Sequence, residues 1–571
     1  MNTTIGDHAS QPHSDWPLRP WVLAALLGLA GLGIYFAAEW NSNAWAPWRA
    51  ALTAALAFGP LALAFTLDRD RWKAPLAFAA IAALVMAGIA WRVANAGENH
   101  VDAPFWLAAG VVSITLALPL FQAGFHKLRW RTPYEETHFH VWTDAISVAG
   151  ALAFVGVSWM LLFLLAALFS AIEIDLIENL IEQSWFGWTF SGAAFGAALG
   201  VLRNQLKIIG TLQSVVMLVF SIIAVPLAVA LAVFLLAVLA SGISVLWNAT
   251  ESPTPLLLSV AVASFVLVNA VVRNGDAETS DNRILRWAAL VLALAIFPLA
   301  LLAAVSTGTR IAEYGLSPER IWGIVAVAVA VAYGLAYFIA PIRGRSTGWM
   351  ERVREANMQL AVGTCVFAFI LALPLFDFGA VSAKNQIARL EAGKVALDDF
   401  DFDALRWDFG EAGRKALDRL AGSDDAEVAD LASDALAQKT RIYRHPEGSD
   451  ERKDRLANLR IQFEDEALRE RVERHVRATP WRCVESCVAL ELTASDNGGR
   501  TVLFVENGHT IREEFEIGDA DDADGVTRPA EGVAVDQPPV PDQTAESTVE
   551  IREWSGRRVY IDGTPVGDPF E

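Results

Sequence analysis

The side chains best suited to binding a ligand lie in a short segment around position 310. Arg310, Glu313, Tyr314 and Arg320 combine two guanidinium groups, a carboxylate and a phenol. They flank Ser317-Pro318-Glu319, which is typical of a capped helix start with proline in the first turn. Guanidinium groups beside a helix N-terminus can bind an anion or a lipid headgroup. The segment is therefore a candidate polar site, with a capped loop whose charges pair internally as the alternative.

A second segment, Tyr134–His140, contains two histidines next to two glutamates. Imidazole and carboxylate groups bind divalent metals, but no spacing here supplies a fourth ligand. An aromatic and histidine cluster at the membrane surface is the simpler interpretation, and no metal is predicted. The acidic run Asp398, Asp399, Asp401 and Asp403 is interpreted as a solvated surface, with loose binding of a cation as the alternative. No phosphate-binding loop, nucleophile triad or dinucleotide fingerprint occurs in a fitting context, so neither a catalytic residue nor a cofactor is expected.

Two of the three cysteines, Cys483 and Cys487, lie four residues apart in the C-terminal part of the chain. In an oxidising compartment such a pair would form a local disulfide. The alternative is two buried free thiols, because a bridge across four residues is geometrically constrained. Cys365 lies in an apolar run and is expected to be a small packing residue.

Small residues recur every four positions at Gly192, Gly196 and Gly200. On a helix this spacing lines one face and lets the backbone of a neighbouring helix approach closely. We therefore expect a helix-packing face, with a narrow path lined by small residues as the alternative.

Long apolar runs must position all of these residues. The 571-residue chain is 54% hydrophobic and only 19% charged, which excludes a single soluble globular domain. A transmembrane helix needs about 20 mostly apolar residues. Tryptophans cluster near the predicted span ends, as expected at the membrane–water interface, apart from Trp159 inside the fifth span. The stretches that qualify are 21–40, 51–67, 74–95, 104–124, 143–170, 185–202, 211–246, 254–272, 284–305, 320–341 and 357–376.

Lysine and arginine residues in the short loops predict the orientation, because they accumulate on the cytoplasmic side. With eleven spans, one side carries 16 of these residues and the other carries four. The stretch 211–246 is long and contains Pro226, so two shorter spans are the alternative; splitting it reduces the bias to 11 against 9. We therefore keep one kinked or tilted helix and expect a cytoplasmic N-terminus with an extracytoplasmic C-terminal domain.

The predicted fold is an all-α polytopic membrane bundle of about 11 transmembrane helices followed by a small α+β soluble domain. Residues 377–571 hold 43 of the 65 acidic and 25 of the 45 basic residues. This acidic balance argues against nucleic-acid binding, which needs lysine and arginine. The expected regions are a cytoplasmic segment 1–20, the bundle 21–376, a charged helical region 377–480, and a small β-rich domain 481–571 with a disordered insert 518–547.

Periodicity predicts the elements outside the spans. From Val488 the apolar period changes to that of strands, and the turn at Asn497-Gly498 predicts a hairpin continued by a strand at 510–517. A second hairpin is expected from Val549 onwards. The expected helices are 172–183, lying on the membrane surface, and 378–394, 411–437 (interrupted at Gly422) and 450–478.

Three segments resemble a known family. They are Trp159–Phe169 with the following stretch 172–183, the loop Arg310–Trp322, and Asn385–Lys394 with Asp399–Gly410. Together they are similar to the bacterial membrane-protein family catalogued as domain of unknown function 4153, over most of residues 100–420. The resemblance implies a helical membrane protein of the cell envelope, and it implies neither an activity nor a catalytic residue.

Ionisable residues deep in a bilayer are costly and usually functional, and here they are scarce. Glu39 and Asp144 lie near predicted span ends, within reach of water, and Arg92 and Arg203 can extend to the interface. The first hypothesis is therefore a non-enzymatic inner-membrane protein, anchored in the lipid bilayer, whose outer domain binds or senses an envelope protein or polymer. The alternatives are a transporter or lipid translocator, and a glycosyl- or phospho-group transferase with a lipid-linked donor and Glu39 as its candidate carboxylate.

Overall fold

The computed structural model forms two compact units, Met1–Leu436 and Ala437–Glu571, which are described separately. The described residues are 16–38, 46–96, 102–242, 253–275, 279, 282–438, 455–478, 482–484, 486–492, 499–506, 509–516, 549–554, 556–561 and 564–570.

Helices make up the first unit. They are α1 (Arg19–Ala38), α2 (Pro47–Thr66), α3 (Lys73–Ala96), α4 (Ala103–Gln122), α5 (Phe125–Leu128), α6 (Tyr134–Ser170), α7 (Leu176–Ile181), α8 (Ser184–Asn204), α9 (Leu206–Ser241), α10 (Pro253–Val272), α11 (Arg283–Tyr314), α12 (Pro318–Ala372), α13 (Phe378–Glu391), α14 (Phe402–Trp407), α15 (Gly410–Ala421) and α16 (Ala426–Ala437).

Eleven segments of the described helices are long and apolar enough to cross a membrane. They are α1 to α4, α6, α8 to α11 and the two halves of α12, and each coincides with a predicted span. Together with the small C-terminal sheet, they confirm the predicted fold class. The stretch predicted as one long span is a single helix, α9, with Pro226 in its interior.

The contacts between helix ends are consistent with spans that run through the bundle in alternating directions. The start of α1 meets the end of α8, where Arg19 Nη1 donates to the Arg203 carbonyl at 3.1 Å. At the opposite end of the bundle, Arg92 Nη1 near the end of α3 donates to the Ala372 carbonyl, at the end of α12, at 3.0 Å. We call these two ends the N-terminal face and the tail face. The first and last spans thus have their outer chain ends on opposite faces.

Helix α12 doubles back on itself. Tyr337 and Asn357 are 20 residues apart, yet Tyr337 Oη donates to Asn357 Oδ1 at 2.6 Å. A straight helix would separate them by about 30 Å. The turn lies near Gly344, where a Cβ atom would be 2.5 Å from the Trp349 backbone. The two arms, Pro318–Gly344 and Gly348–Ala372, are therefore the antiparallel tenth and eleventh spans.

Small side chains fill the larger core of the bundle, between α9, α10, α11 and α12. Fully buried residues in this core include Val268, Ala289 and Ala293. Alanine lets helices approach closely in a membrane, where packing rather than apolar burial drives association. Large apolar side chains such as Leu161 and Leu239 are exposed, as expected for positions that face lipid.

Trp159, the tryptophan predicted to lie deep inside the fifth span, is held by α8. Its indole N–H donates to Ser191 Oγ at 2.9 Å, and its ring contacts Phe186 and Phe190 edge-on. Because an indole N–H needs a hydrogen-bond partner when it is removed from water, Ser191 explains how a tryptophan is tolerated at this depth.

Four helices follow the last span within the first unit. The cap of α13 is Asp377, whose Oδ1 accepts from the Ala380 N–H at 2.8 Å. Phe402, Leu405 and Leu417 form a core among α13 to α16. Helix α13 coincides with the helix predicted at 378–394, and α15 and α16 coincide with the interrupted helix predicted at 411–437, whereas α14 was not predicted. The predicted surface helix 172–183 is shorter than expected, because α7 covers only Leu176–Ile181.

The second unit includes, among its described residues, the helix α17 (Glu466–Ala478) and two small sheets. Its elements are β1 (Leu459–Ile461), α17 (Glu466–Ala478), β2 (Cys487–Glu491), β3 (Gly499–Glu506), β4 (His509–Glu516), β5 (Val549–Trp554), β6 (Gly556–Ile561) and β7 (Thr564–Phe570). The sheet orders are β1-β2-β3-β4 and β5-β6-β7, and only the β1–β2 pair is parallel. Leu468, Val472 and Val476 of α17 pack on the first sheet. Both predicted hairpins are present, as β2–β3 and β5–β6.

The structure differs from the sequence-based expectations in part of this unit. The helix predicted at 450–478 is interrupted: residues 455–458 and 466–478 are helical, but Leu459–Ile461 pairs with β2 as a strand, and residues 450–454 lie outside the described residues. The two compact units divide after Leu436, and α17 is buried against the first sheet of the second unit. Strand β7 adds to the predicted elements. The predicted insert 518–547 and the Asn497 turn lie outside the described residues.

Candidate functional site

Four polar side chains form a closed hydrogen-bonded network inside the bundle, near the N-terminal face. Asn357 Nδ2 donates to Asn269 Oδ1 at 2.7 Å and to Tyr134 Oη at 3.2 Å. Asn269 Nδ2 donates to Tyr337 Oη at 2.7 Å, and Tyr337 Oη in turn donates to Asn357 Oδ1 at 2.6 Å. We call these four residues the closed network. Since its donors are all used, it ties α6, α10 and both arms of α12 together rather than presenting free groups to a ligand.

His138 lies beside the closed network and is held by two partners. Its Nδ1 shares a hydrogen bond with Asn274 Oδ1, and Trp142 Nε1 donates to its Nε2 at 3.1 Å. Glu135 and Glu136 are exposed. Among the described residues, no group of three or more His, Cys, Asp or Glu side chains is placed to hold a metal ion. The contacts of His138 therefore link α6 to the segment that follows α10.

A second polar cluster leaves several oxygen atoms without a partner. It consists of Gln122, Thr143, Asp144 and Ser147, and we call it the Asp144 cluster. Gln122 Nε2, at the end of α4, donates to Asp144 Oδ1 at 3.2 Å and to the Phe65 carbonyl at 3.1 Å. Thr143 and Ser147 are 5% and 1% exposed. Gln122 Oε1, Thr143 Oγ1, Asp144 Oδ2 and Ser147 Oγ are all buried without a hydrogen-bond partner.

The two arginines that can extend to the interface bind carbonyl groups near the ends of other helices. Arg203 Nη1 donates to the Ala64 carbonyl near the end of α2 at 2.6 Å. Arg92 Nη1 donates to the carbonyls of Ala372 and Leu373 at 3.0 and 2.9 Å. The last carbonyls of a helix have no intrahelical partner, so each arginine completes a helix end. Glu39, the candidate carboxylate of the transferase hypothesis, lies outside the described residues.

The candidate polar site around position 310 gathers at the junction of α11 and α12. Ser317 Oγ accepts from the Arg320 N–H at 3.3 Å, which confirms the predicted cap. Arg320 Nη1 donates to the Tyr314 and Gly315 carbonyls at 3.3 and 2.9 Å. Its guanidinium carbon lies 5.5 Å from the centre of the Tyr314 ring. Arg310 lies one helical turn before Tyr314 on α11.

Helix α13 completes this junction with side chains that the sequence did not single out. Arg389 donates to the carbonyls of Ala312 and Glu313. Gln386 Nε2 donates to the carbonyls of Tyr314 and Leu316 at 2.8 and 2.9 Å. These hydrogen bonds of Arg320, Arg389 and Gln386 are directed to backbone carbonyls at and just after the end of α11.

Gly192, Gly196 and Gly200 lie against α1. A Cβ atom would be 2.3 Å from the Leu27 carbonyl oxygen at Gly192, and 2.2 Å from the Leu23 carbonyl oxygen at Gly196. At Gly200 it would be 2.5 Å from the Pro20 Cα. The three glycines thus allow direct contact between the backbones of α8 and α1.

Cys483 and Cys487 are joined by a disulfide in the second unit, with Cα atoms 5.0 Å apart. Both side chains are fully buried. That the bond forms in the cell stays a prediction. It is checked by counting alkylated thiols under denaturing conditions, where only Cys365 should react before reduction.

An ion-pair cluster lies next to this disulfide. Arg482 pairs with Glu513 and, at 3.7 Å, with Glu506. His475 Nε2 lies 2.7 Å from Glu513 Oε2. Burial acts to raise the pKa of Glu513, but the hydrogen bond and charge of His475 and the charge of Arg482 outweigh it, so that this pKa is lowered.

Sequence reasoning missed the closed network, although its signal was present. Asn269 and Asn357 are amide side chains within apolar spans, where polar groups usually bond to another helix. Their partners could not be identified, because Tyr337 and Tyr134 are distant in sequence and only the folded bundle brings them together.

The sequence profile of a family described as Domain of unknown function (DUF4153) matches residues 50–420. The match runs from α2 to α15 and includes the closed network, the Asp144 cluster and the junction of α11 and α12. No curated protein and no solved structure matches the chain.

Proposed function

The chain belongs to the DUF4153 family, and from this premise we propose that it is a non-enzymatic, multi-pass protein of the bacterial inner membrane. In this proposal the part of the chain after the last span, residues 377–571, binds or senses a partner outside the cytoplasm; we call this part the tail. The partner class is an envelope protein or an envelope polymer. The N-terminal face is cytoplasmic in this proposal, which agrees with the 16 to 4 distribution of lysine and arginine.

The observation that carries the proposal is the organisation of the chain after the last span. Helix α13 is fixed to the end of α11 by Arg389 and Gln386, and α14 to α16 build a core of their own on it. A separate compact unit with two sheets follows. The part of the chain outside the spans is large and has no recognisable catalytic motif, so it is suited to binding a partner.

Photo-crosslinking in intact cells tests the proposal. A photoreactive amino acid replaces Val484, which is 59% exposed in the second unit, or Trp130, which is 66% exposed on the N-terminal face. We expect a discrete adduct with an envelope component at position 484 and a different set of crosslinked adducts at position 130. Absence of any specific adduct from position 484 and from other exposed positions of the second unit would contradict a binding role.

A transporter or lipid translocator is the second candidate, and the Asp144 cluster is the observation that favours it. Transporters bind coupling ions at polar groups buried between spans. The closed network does not support this candidate, because its donors are already used within the protein.

A further inference from the structure

Hydroxyl groups on the spans commonly satisfy themselves by bonding to their own helix. The side chains that donate to the carbonyl four residues earlier include those of Ser158, Thr189, Ser214, Ser221 and Ser264. Thr143 and Ser147 are as deeply buried as Ser221 and Ser264 but have no partner at all. A buried hydroxyl without a partner costs free energy, so this pair requires an explanation.

Helix geometry and one hydrogen bond place the four residues of the Asp144 cluster next to one another. Residues three and four positions apart are neighbours on a helix surface, so Ser147 adjoins both Thr143 and Asp144 on α6. Gln122 reaches the same place from α4, because its amide is bonded to Asp144 Oδ1. Thr143, Asp144 and Ser147 thus lie on one side of α6, next to the end of the Gln122 side chain on α4 and near the end of α2.

We propose that the Asp144 cluster binds a small monovalent cation through its four unpartnered oxygen atoms. Carboxylate, amide and hydroxyl oxygens are ligands for hard cations. The cluster contains one carboxylate, which balances one positive charge, whereas protein sites for divalent ions commonly combine several carboxylates. The proposal goes beyond the binding role of the tail and does not depend on it.

Arg203 limits the strength of this site. Its guanidinium acts electrostatically on Asp144 from α8, while its Nη1 donates a hydrogen bond to the Ala64 carbonyl. A second positive charge near Asp144 opposes the bound cation, so we expect weak binding that saturates only at high salt concentration.

Thermal unfolding of the purified full-length protein tests the proposal. The unfolding midpoint is measured by tryptophan fluorescence in sodium, lithium, potassium or choline chloride at the same ionic strength. A ligand that binds only the folded state raises the midpoint with its concentration. We expect at least one alkali cation to raise it by about 2 °C or more relative to choline, and comparison of the three identifies the preferred ion.

Variants assign the effect to the cluster. Asp144→Asn keeps the shape of the side chain and an acceptor for Gln122, and it should abolish the difference between the alkali cation and choline. Ser147→Ala should reduce the difference while leaving the midpoint in choline unchanged or higher, because it removes an unpartnered hydroxyl. The controls are Asp102→Asn and Ser264→Ala, which alter buried groups elsewhere in the bundle and should retain the wild-type cation response.

Equal midpoints in all four salts for the wild-type protein would overturn the proposal. So would a cation response that persists in Asp144→Asn. If Asp144→Asn does not yield folded protein, Ser147→Ala decides, since an undiminished cation response in that variant is incompatible with the site.

Discussion

At the residue scale, the contact between α1 and α8 depends on glycines, because each of them lacks a Cβ atom. A methyl group at Gly196 would lie 2.2 Å from the Leu23 carbonyl oxygen, which belongs to the backbone and cannot move aside alone. We expect Gly196→Ala to lower the stability of the protein by about 1–3 kcal/mol. The measurement is unfolding of the purified protein followed by tryptophan fluorescence.

Gly156 provides the matched control for this change. It lies in a span as well, but a Cβ atom there would meet nothing within 4 Å. Replacing it by alanine should be neutral or stabilise the helix by about 0.5–1 kcal/mol. Similar losses at both positions would indicate a general intolerance of the bundle instead of a specific close contact at Gly196.

Glu513 should make the second unit sensitive to acid. Because its pKa in the folded unit is lowered from the ordinary value of 4.5, the carboxylate contributes stability above that value. The contribution is lost as the pH falls through the lower folded pKa. We expect amide hydrogen exchange of β3 and β4 in the full-length protein, corrected for its intrinsic pH dependence, to accelerate below about pH 4.5.

Replacing Glu513 tests this assignment. Glu513→Gln removes one partner of a buried ion pair, so it should cost about 3 kcal/mol or more at neutral pH and should flatten the acid dependence of exchange. Glu464→Gln, which changes an exposed carboxylate of the same unit, should do neither. An unchanged acid profile in Glu513→Gln would mean that another group titrates.

At the element scale, the closed network should determine how firmly the two arms of α12 hold together. Tyr337→Phe removes a hydroxyl that is fully buried and bonded to Asn269 and Asn357. We expect a loss of about 1–3 kcal/mol, because the remaining polar groups stay buried without that partner. Unfolding followed by tryptophan fluorescence measures the loss.

Tyr333→Phe is the control on the same arm, about one helical turn earlier. The Tyr333 hydroxyl is only partly buried and has a longer contact, 3.4 Å from Thr364 Oγ1. The change should alter stability by less than about 0.5 kcal/mol. If Tyr337→Phe and Tyr333→Phe lower the stability by the same amount, the closed network does not specifically hold the two arms of α12 together.

Elements were predictable where one physical constraint decides them. The thickness of the bilayer requires long apolar helices, so the spans could be read directly from the sequence. In the sequence, the charged residues around Arg343 and Arg352 distinguished the tenth span from the eleventh, although the residues between the two spans have helical backbone in the structure. Leu459–Ile461 was assigned to a helix because its strand pairing with β2 depends on residues distant in the chain.

At the scale of the whole molecule, the proposed orientation predicts different access to two exposed lysines. Lys127 lies on the N-terminal face after α4, and Lys384 lies on α13 after the last span. In spheroplasts, a membrane-impermeant maleimide should label Lys384→Cys, whereas Lys127→Cys should react only after permeabilisation. The reverse pattern would invert the topology, and labelling of both in intact cells would contradict an odd number of spans.

The candidate sites were less predictable than the topology, because they depend on which helices become neighbours. The spacing of Gly192, Gly196 and Gly200 indicated a packing face without naming α1 as its partner. The sequence placed Asp144 near water; the structure gives it a buried oxygen beside two unpartnered hydroxyls. Charge counts along the chain cannot show whether Asp144 is near water or buried, because its surroundings depend on the positions of α2, α4 and α8.

The junction between α11 and α13 has a consequence for the variation the family can tolerate. Arg389 and Gln386 recognise carbonyl oxygens of residues 312–316, and Asn385 Oδ1 accepts from the Leu316 N–H at 2.9 Å. Every amino acid except proline offers these same main-chain groups. Substitutions of the loop residues that contribute only these groups should therefore be largely silent for the attachment of α13, whereas substitutions at 385, 386 and 389 should loosen it. Gly315 is the exception within the loop, because its φ is +76° and a Cβ atom there would lie 2.7 Å from Arg389 Cδ and 2.8 Å from Gln386 Nε2.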